Sequence, residues 1–238
     1  MDIAVDFQDA GTRLFETLRH HCPPQLYVHI SLYNDFRALD RMFPLEAADK
    51  LTYLMVFADI EIHHTRRSSR RNCDNTHSNR FVNRLLSAIS HLRLTHLRVV
   101  TNFAIYRPVR TAVLETDSVG HIGLGDKMDF EVTKTRFVGA VPTLQYLFLT
   151  TFGRAHAIPS KKISSESKIF TERWLTSKAW RVLHVNDENL DLWDSEVGSG
   201  SCVELSREAA ERIIDRENLQ LSSDEEVGHR FCQCKLQN

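Results

Sequence analysis

The chain has 238 residues, of which 42% are hydrophobic and 26% are charged, so it can form a core without a cofactor or a disulfide. Its formal net charge of -1 excludes a general electrostatic attraction to nucleic acid or to membrane surfaces. The five cysteines are odd in number and irregularly spaced, which argues against the disulfide framework of a secreted domain.

Apolar spacing predicts helices that alternate with short strands from the N-terminus to about residue 220. Phe81, Leu85 and Ile89 lie on one stripe of the most regular helix. Ser206 is a favourable N-cap for a last helix, after which Leu219 to Leu221 can form a closing strand. The predicted helical segments are residues 7–18, 81–92, 130–141, 169–174 and 206–214.

The predicted strands share one phrase. Residues 94–102 read Leu-x-x-Leu-x-Val-x-x-Asn, and variants of this phrase begin at residues 23, 51, 144 and 180. The fourth and sixth positions of a phrase point to one face of a strand, while the residues between them point to the other. We therefore expect one sheet face to bury Leu54, Val56, Leu97, Val99, Leu147, Leu149, Leu183 and Val185.

The phrase resembles the strand of a leucine-rich repeat. The expected fold class is therefore α/β, as an irregular leucine-rich-repeat-like solenoid of alternating helices and parallel strands. The pattern leaves open a doubly wound sheet with helices on both faces. We expect a single repeat-like domain over residues 1–221, with loop insertions at residues 63–79 and 103–128, and a flexible acidic tail at residues 222–238.

Two segments, Phe137 to Leu147 and Ser177 to Val182, resemble the leucine-rich-repeat-like region of fungal F-box proteins. The resemblance covers roughly residues 80–220. It implies a substrate receptor of a ubiquitin ligase, in which the repeats hold a protein target. An F-box opens with a Leu-Pro pair, and residues 1–22 contain no proline, so adaptor binding is not carried over to this chain. The chain is then either a fragment or divergent member, or ligase recruitment does not apply to it.

The strand positions between the buried ones are rich in aromatic residues, which give a large contact area at interfaces. We expect a protein partner to bind there, and the predicted anchors are Tyr53, Phe57, Arg98, Tyr146 and Phe148. Alternatively, the loop insertions cover this row.

The sequence contains neither a Gly-x-Ser-x-Gly elbow nor a His-Glu-x-x-His helix, so we expect a non-enzymatic protein without catalytic, cofactor or metal residues. His229, Cys232 and Cys234 supply three donors, whereas a structural zinc site needs four. The alternative is a small α/β enzyme of unrecognised type. Its site would lie beyond the carboxyl ends of the parallel strands, near Asp59, Asn102 and Asn186.

Arg66 to Arg71 form a basic run without an interleaved aromatic residue that could stack a base. We expect this run to be a solvated loop, and we expect no nucleic-acid partner. The N-terminus lacks a basic region followed by an apolar run, and no window of about 18 residues is uninterruptedly apolar. The expected location is the cytoplasm or the nucleus, without a membrane partner.

Overall fold

Among the residues that the structure describes, seven strands form one open sheet in which the spatial order follows the chain order. The computed structural model of the protein describes residues 2–5, 10–33, 36–40, 42–63, 77–109, 128–159, 170–184 and 201–221. The first five strands pair in parallel, and the last two pairings are antiparallel. The strands are β1 (Asp2–Val5), β2 (Gln25–Tyr33), β3 (Tyr53–His63), β4 (His96–Val109), β5 (Tyr146–Pro159), β6 (Phe170–Val182) and β7 (Cys202–Glu204).

In the described ranges, four α-helices and two short 3-10 turns connect or follow these strands. The helices are α1 (Ala10–His20), α2 (His77–Ile89), α3 (Phe130–Ala140) and α4 (Arg207–Arg216), and the turns are Arg37–Leu39 and Leu45–Ala47. The Asp129 carboxylate accepts hydrogen bonds from two backbone N–H groups in the first turn of α3. The predicted cap of the last helix is confirmed, since Ser206 Oγ accepts a hydrogen bond from the Ala209 N–H at 3.2 Å.

The main core lies between one face of the sheet and the helices α1, α2 and α3. Leu14 of α1, Phe81 of α2 and Phe137 of α3 are all buried in it. The strand side chains predicted to be buried on this face are confirmed in β3, β4 and β5: Leu54, Val56, Leu97, Val99, Leu147 and Leu149 are at most 1% exposed. The phrases at residues 51, 94 and 144 are therefore structurally equivalent neighbours in parallel register.

In the described parts of the crossovers, the helices lie on the same side of the sheet. A doubly wound sheet requires crossover helices on both faces and a reversal of strand order. The strand order here follows the chain without reversal, and α4, which packs on the opposite face, follows the last strand rather than joining two parallel ones. The described crossovers therefore form a one-sided α/β arrangement.

The fifth phrase does not form a parallel strand. β6 is antiparallel to β5, and its Trp180 and Val182 side chains enter the main core while Leu183 follows the strand and is only partly buried. Val185 lies outside the described residues. The reason is geometric: β5 ends at Pro159 and β6 begins at Phe170, and so short a connection cannot carry a crossover back along β5.

Three further boundaries differ from the sequence prediction. The segment predicted as a helix at residues 169–174 belongs to β6 from residue 170 onward, and residues 103–109, predicted as loop, form the second half of β4. Leu219 and Leu221 are buried but form no strand. Of the predicted insertions, His63 belongs to β3, residues 77–79 form the first turn of α2, and Met128 is buried just before α3. Residues 64–76, which include the basic run from Arg66 to Arg71, residues 110–127 and the acidic tail lie outside the described residues.

Candidate functional site

The face of the sheet opposite α1, α2 and α3, here called the second face, carries the candidate site. Strand register divides it into two regions. At the amino-terminal half of the strands lies the aromatic row, defined as Tyr53, Phe57, Arg98, Tyr146 and Phe148. At the carboxyl half lies the open end, defined as Tyr33, Asp59, Glu61, His63, Asn102, Tyr106, Arg154, His156 and Arg173.

The C-terminal segment, residues 205–221, follows the edge strand β7 and lies across the aromatic row. Ala210, Ile213 and Ile214 of α4 pack against a second apolar cluster that contains Phe57 and Phe148. The backbone fixes the segment at both sides of the sheet. The Leu205 N–H donates to the Ala179 carbonyl of β6 at 2.8 Å, and Gln25 Nε2 of β2 donates to the Asn218 carbonyl at 2.7 Å.

The five predicted anchors do share one row, but the chain's own C-terminal segment covers it. Phe57, Arg98 and Phe148 are 4%, 7% and 3% exposed, whereas Tyr53 and Tyr146 are partly exposed. The Arg98 guanidinium donates a hydrogen bond to the Leu219 carbonyl, and Tyr53 Oη donates to Glu217 Oε2 at 3.4 Å. The sequence predicted cover by the loop insertions and not by α4, although the apolar stripe of Ile213 and Ile214 indicates that one face of this helix is buried.

His96 is buried at the amino-terminal edge of the aromatic row. Its ring is stacked between those of Tyr53 and Tyr146, with centroid separations of 4.4 and 4.9 Å. Nδ1 lies 2.9 Å from Thr95 Oγ1, while the buried Nε2 has no hydrogen-bond partner. Burial is the largest cause that lowers the pKa of His96 below its usual value, so the fold favours the neutral ring.

A polar cluster around Asp59 lies where the aromatic row meets the open end. His29 Nε2 is 2.9 Å from Asp59 Oδ2, and Asn102 Nδ2 donates to Asp59 Oδ1 at 2.7 Å. The structure thus brings together Asp59 and Asn102, which the enzyme alternative singled out, and adds His29. Asn186 lies outside the described residues. Strand alternation places His29 on this face, but only the register shows that its ring reaches Asp59.

Chemically, a carboxylate that holds an imidazole can orient a general base. The two described cysteines do not extend this cluster toward thiol chemistry. Cys22 hydrogen-bonds the Pro23 carbonyl, and Cys202 packs against the main core. Burial raises the pKa of both thiols, which disfavours the reactive thiolate.

A ladder of rings crosses the open end from β3 to β5. The rings of His63 and Tyr106 are stacked with centroids 4.5 Å apart, and those of Tyr106 and His156 are stacked at 5.0 Å. Tyr33 stands at the end of the ladder, 5.3 Å from His63, and is 62% exposed. Because the rings stack on one another, the inner faces are occupied and cannot receive a nucleic-acid base between them.

The open end carries opposite charges on its two sides. Asp59 and Glu61 lie on β3, and Glu61 Oε1 is 2.7 Å from His63 Nε2. Arg154 of β5 and Arg173 of β6 lie directly opposite each other on the far side. A partner that spans this region therefore meets carboxylates at one side and guanidinium groups at the other.

Within the described ranges, His, Cys, Asp and Glu side chains form no group of three or more that could hold a metal ion. The helices of those ranges are too short or too polar to cross a membrane. Comparison with known proteins adds no relative: the chain matches no protein-family model, no curated protein and no solved structure.

Proposed function

We propose that the protein is a non-enzymatic protein-interaction scaffold built as an irregular leucine-rich-repeat-like solenoid. Two features support this architecture: the strands follow chain order, and the described crossover helices lie on one side. Repeat proteins of this kind bind partners on the sheet surface that their helices leave uncovered. The proposed location is the cytoplasm or the nucleus.

The single observation that carries the proposal is the open end of the second face. Aromatic side chains with polar edges, such as Tyr33 and Tyr106, are only partly buried there and stand beside unlike charges. Tyr and Arg are among the side chains enriched in the residues that dominate binding energy at protein interfaces. The open end is therefore the proposed docking surface, continuous with the aromatic row.

Binding by the five predicted anchors of the aromatic row is the second part of this proposal, and it requires the C-terminal segment to leave. The similarity to the substrate-binding repeat region of F-box proteins indicates that the partner is a protein. Support for that similarity comes from the repeated strand phrases and their parallel register. Adaptor binding is not part of the proposal.

Site-specific crosslinking in the native cell tests this function. A photoreactive amino acid placed at Tyr33 or Tyr106 should capture the same protein, because both positions lie on the open end. Val132 of α3 is the matched control, since it is 51% exposed on the helix side of the sheet. Equal capture from Val132, or different proteins from Tyr33 and Tyr106, would contradict a docking surface at the open end.

A small α/β enzyme is the second candidate, and the observation that favours it is the imidazole held by Asp59. His29 would act as a general base midway along β2 and β3, and not beyond the carboxyl ends of the strands, where the sequence predicted such a site. The test is turnover of a panel of ester and amide substrates by the full chain and by His29→Gln. Turnover that His29→Gln abolishes without loss of melting temperature supports this candidate. Absence of turnover, or equal turnover by both proteins, rejects it.

A further inference from the structure

Arg154 and Arg173 form an uncompensated pair of like charges on the open end. They are Cα partners across the antiparallel β5–β6 pair, and both side chains are exposed. Like charges directly opposite each other in such a pair destabilise the sheet. In the part of the chain that the structure describes, neither guanidinium has a hydrogen bond or an ion pair.

Several other exposed arginines among the described residues have acidic partners. Arg19 Nε lies 3.2 Å from Glu46 Oε1, and Arg93 Nη1 lies 3.3 Å from Asp49 Oδ1. At these two positions a carboxylate neutralises the surface guanidinium group. At the β5–β6 pair two guanidinium groups lie together without such a partner among the described residues.

His156 joins the pair through its position two residues along β5 from Arg154. Its partly buried ring is stacked on Tyr106, which limits its orientation. Burial, followed by the positive charges of Arg154 and Arg173, lowers the pKa of His156. Strand register places the three basic groups next to one another on the second face, and the direction of this shift agrees with that placement.

We propose that Arg154, Arg173 and His156 form a binding site for the dianion of a phosphate monoester. Guanidinium groups bind phosphate oxygens with paired, charge-assisted hydrogen bonds, and an imidazole N–H adds a further donor. Three terminal phosphate oxygens can use all three basic groups, whereas a carboxylate offers two oxygens. The bound dianion offsets the repulsion between the two arginines. The site lies within the proposed docking surface, but phosphate binding there does not require the scaffold function.

The monoester is favoured over a nucleic-acid strand. Single-stranded nucleic acid is usually held by open aromatic faces on which successive bases stack. The stacked rings of His63, Tyr106 and His156 occupy one another's inner faces, so the ladder supplies edges rather than a stacking platform. An oligonucleotide consequently serves as a competing arm of the test.

Titration of the full chain with inorganic phosphate tests the site. The titration is followed by NMR of isotope-labelled histidines, and the His156 resonances are assigned by their absence in the variant His156→Gln. Phosphate should shift the His156 resonances saturably, and sodium chloride at equal ionic strength should not. Arg154→Gln with Arg173→Gln should weaken phosphate binding by at least about tenfold. Arg19→Gln with Arg93→Gln is the matched control and should bind as the original chain does.

The double variant Arg154→Gln with Arg173→Gln should melt at the same temperature as the original chain or a higher one, because the repulsion between the two arginines is removed. Weaker phosphate binding by this variant would then not be due to a folding defect. A phosphoserine peptide and its unphosphorylated form distinguish a phosphorylated protein from a free phosphate as the source. Tighter binding of the phosphopeptide than of phosphate indicates the protein source, and equal binding indicates the free ion or a small ester. The proposal would be overturned if the double variant bound phosphate as well as the original chain, or if chloride gave an equal response. Binding of an oligonucleotide by a chain that does not bind inorganic phosphate would also overturn it.

Discussion

Replacing Arg98 by methionine should loosen the C-terminal segment from the aromatic row. The guanidinium is 7% exposed and donates a hydrogen bond to the backbone carbonyl of Leu219. Methionine keeps most of the apolar stem but leaves that buried carbonyl without this donor. Hydrogen bonds that involve a charged group contribute about 1.5–3 kcal/mol to stability, so we expect a loss of that size.

Thermal unfolding measures the effect on the stability of the whole protein, and amide hydrogen exchange measures the local opening of the C-terminal segment. For a protein of this length, a loss of about 2 kcal/mol lowers the melting temperature by about 4–8 °C. Exchange should accelerate first at the Leu205 N–H, which bonds the Ala179 carbonyl, and at the Leu219 N–H, which bonds the Ile214 carbonyl. Faster exchange there without faster exchange in β4 would show that the segment leaves the sheet locally.

Arg93→Met is the matched control because it also removes a guanidinium. Arg93 pairs with Asp49, but both side chains are largely exposed, so the change in unfolding free energy should stay within about 0.5 kcal/mol. Equal or higher stability of Arg98→Met would refute the reasoning. It would mean that the cost of burying the guanidinium outweighs its hydrogen bond, so that Arg98 does not anchor the segment.

Further predictions concern the core, the packing of glycine and the response to acid. Leu147→Ala, in the fully buried core of β5, should cost about 2–5 kcal/mol of unfolding free energy in a denaturant titration; a smaller loss would show that the site collapses around the cavity. Gly153→Ala should prevent folding or lower the melting temperature sharply, because the added Cβ would lie 2.3 Å from the Phe103 carbonyl oxygen. The matched change Gly139→Ala places a Cβ with nothing within 4 Å, so it should be neutral or stabilise the protein by up to about 1 kcal/mol. Because the pKa of His96 is lower in the folded protein, the His96 ring is protonated more readily in the unfolded chain than in the folded one. The neutral ring's contribution to the free energy of unfolding is therefore complete above about pH 6.5 and declines as the pH falls below that value. His96→Phe keeps a stacked ring without a titrating group and should flatten that decline; an unchanged slope between pH 5 and 6.5 would assign it to other groups.

Local patterns in the sequence were sufficient for the parallel core and for most helices. Alternation in the phrases at residues 51, 94 and 144 identified the buried face because strand side chains alternate regardless of what surrounds them. A helix stripe and a capping serine are equally local, which is why α2 and the start of α4 were predicted. The role of Tyr53, Phe57, Arg98, Tyr146 and Phe148 in binding a partner stays a prediction.

The direction of β6 could not be read from its phrase. An alternating pattern of apolar and polar residues looks the same whether a strand runs parallel or antiparallel to its neighbour. The deciding factor is the connection, which is too short to return along β5, and its length became visible only when the ends of β5 and β6 were known.

By itself, the sequence determined the alternation of helices and strands, the buried face of β3, β4 and β5, and the cap at Ser206, because all three depend on residues a few positions apart. Only the tertiary structure decided that α4 covers the aromatic row and that His29, Asp59 and Asn102 meet. Their side chains are 30 and 43 residues apart in the chain and join through strand register. The apolar stripe of α4 shows that it must be buried, but a stripe carries no information about which distant surface will bury it.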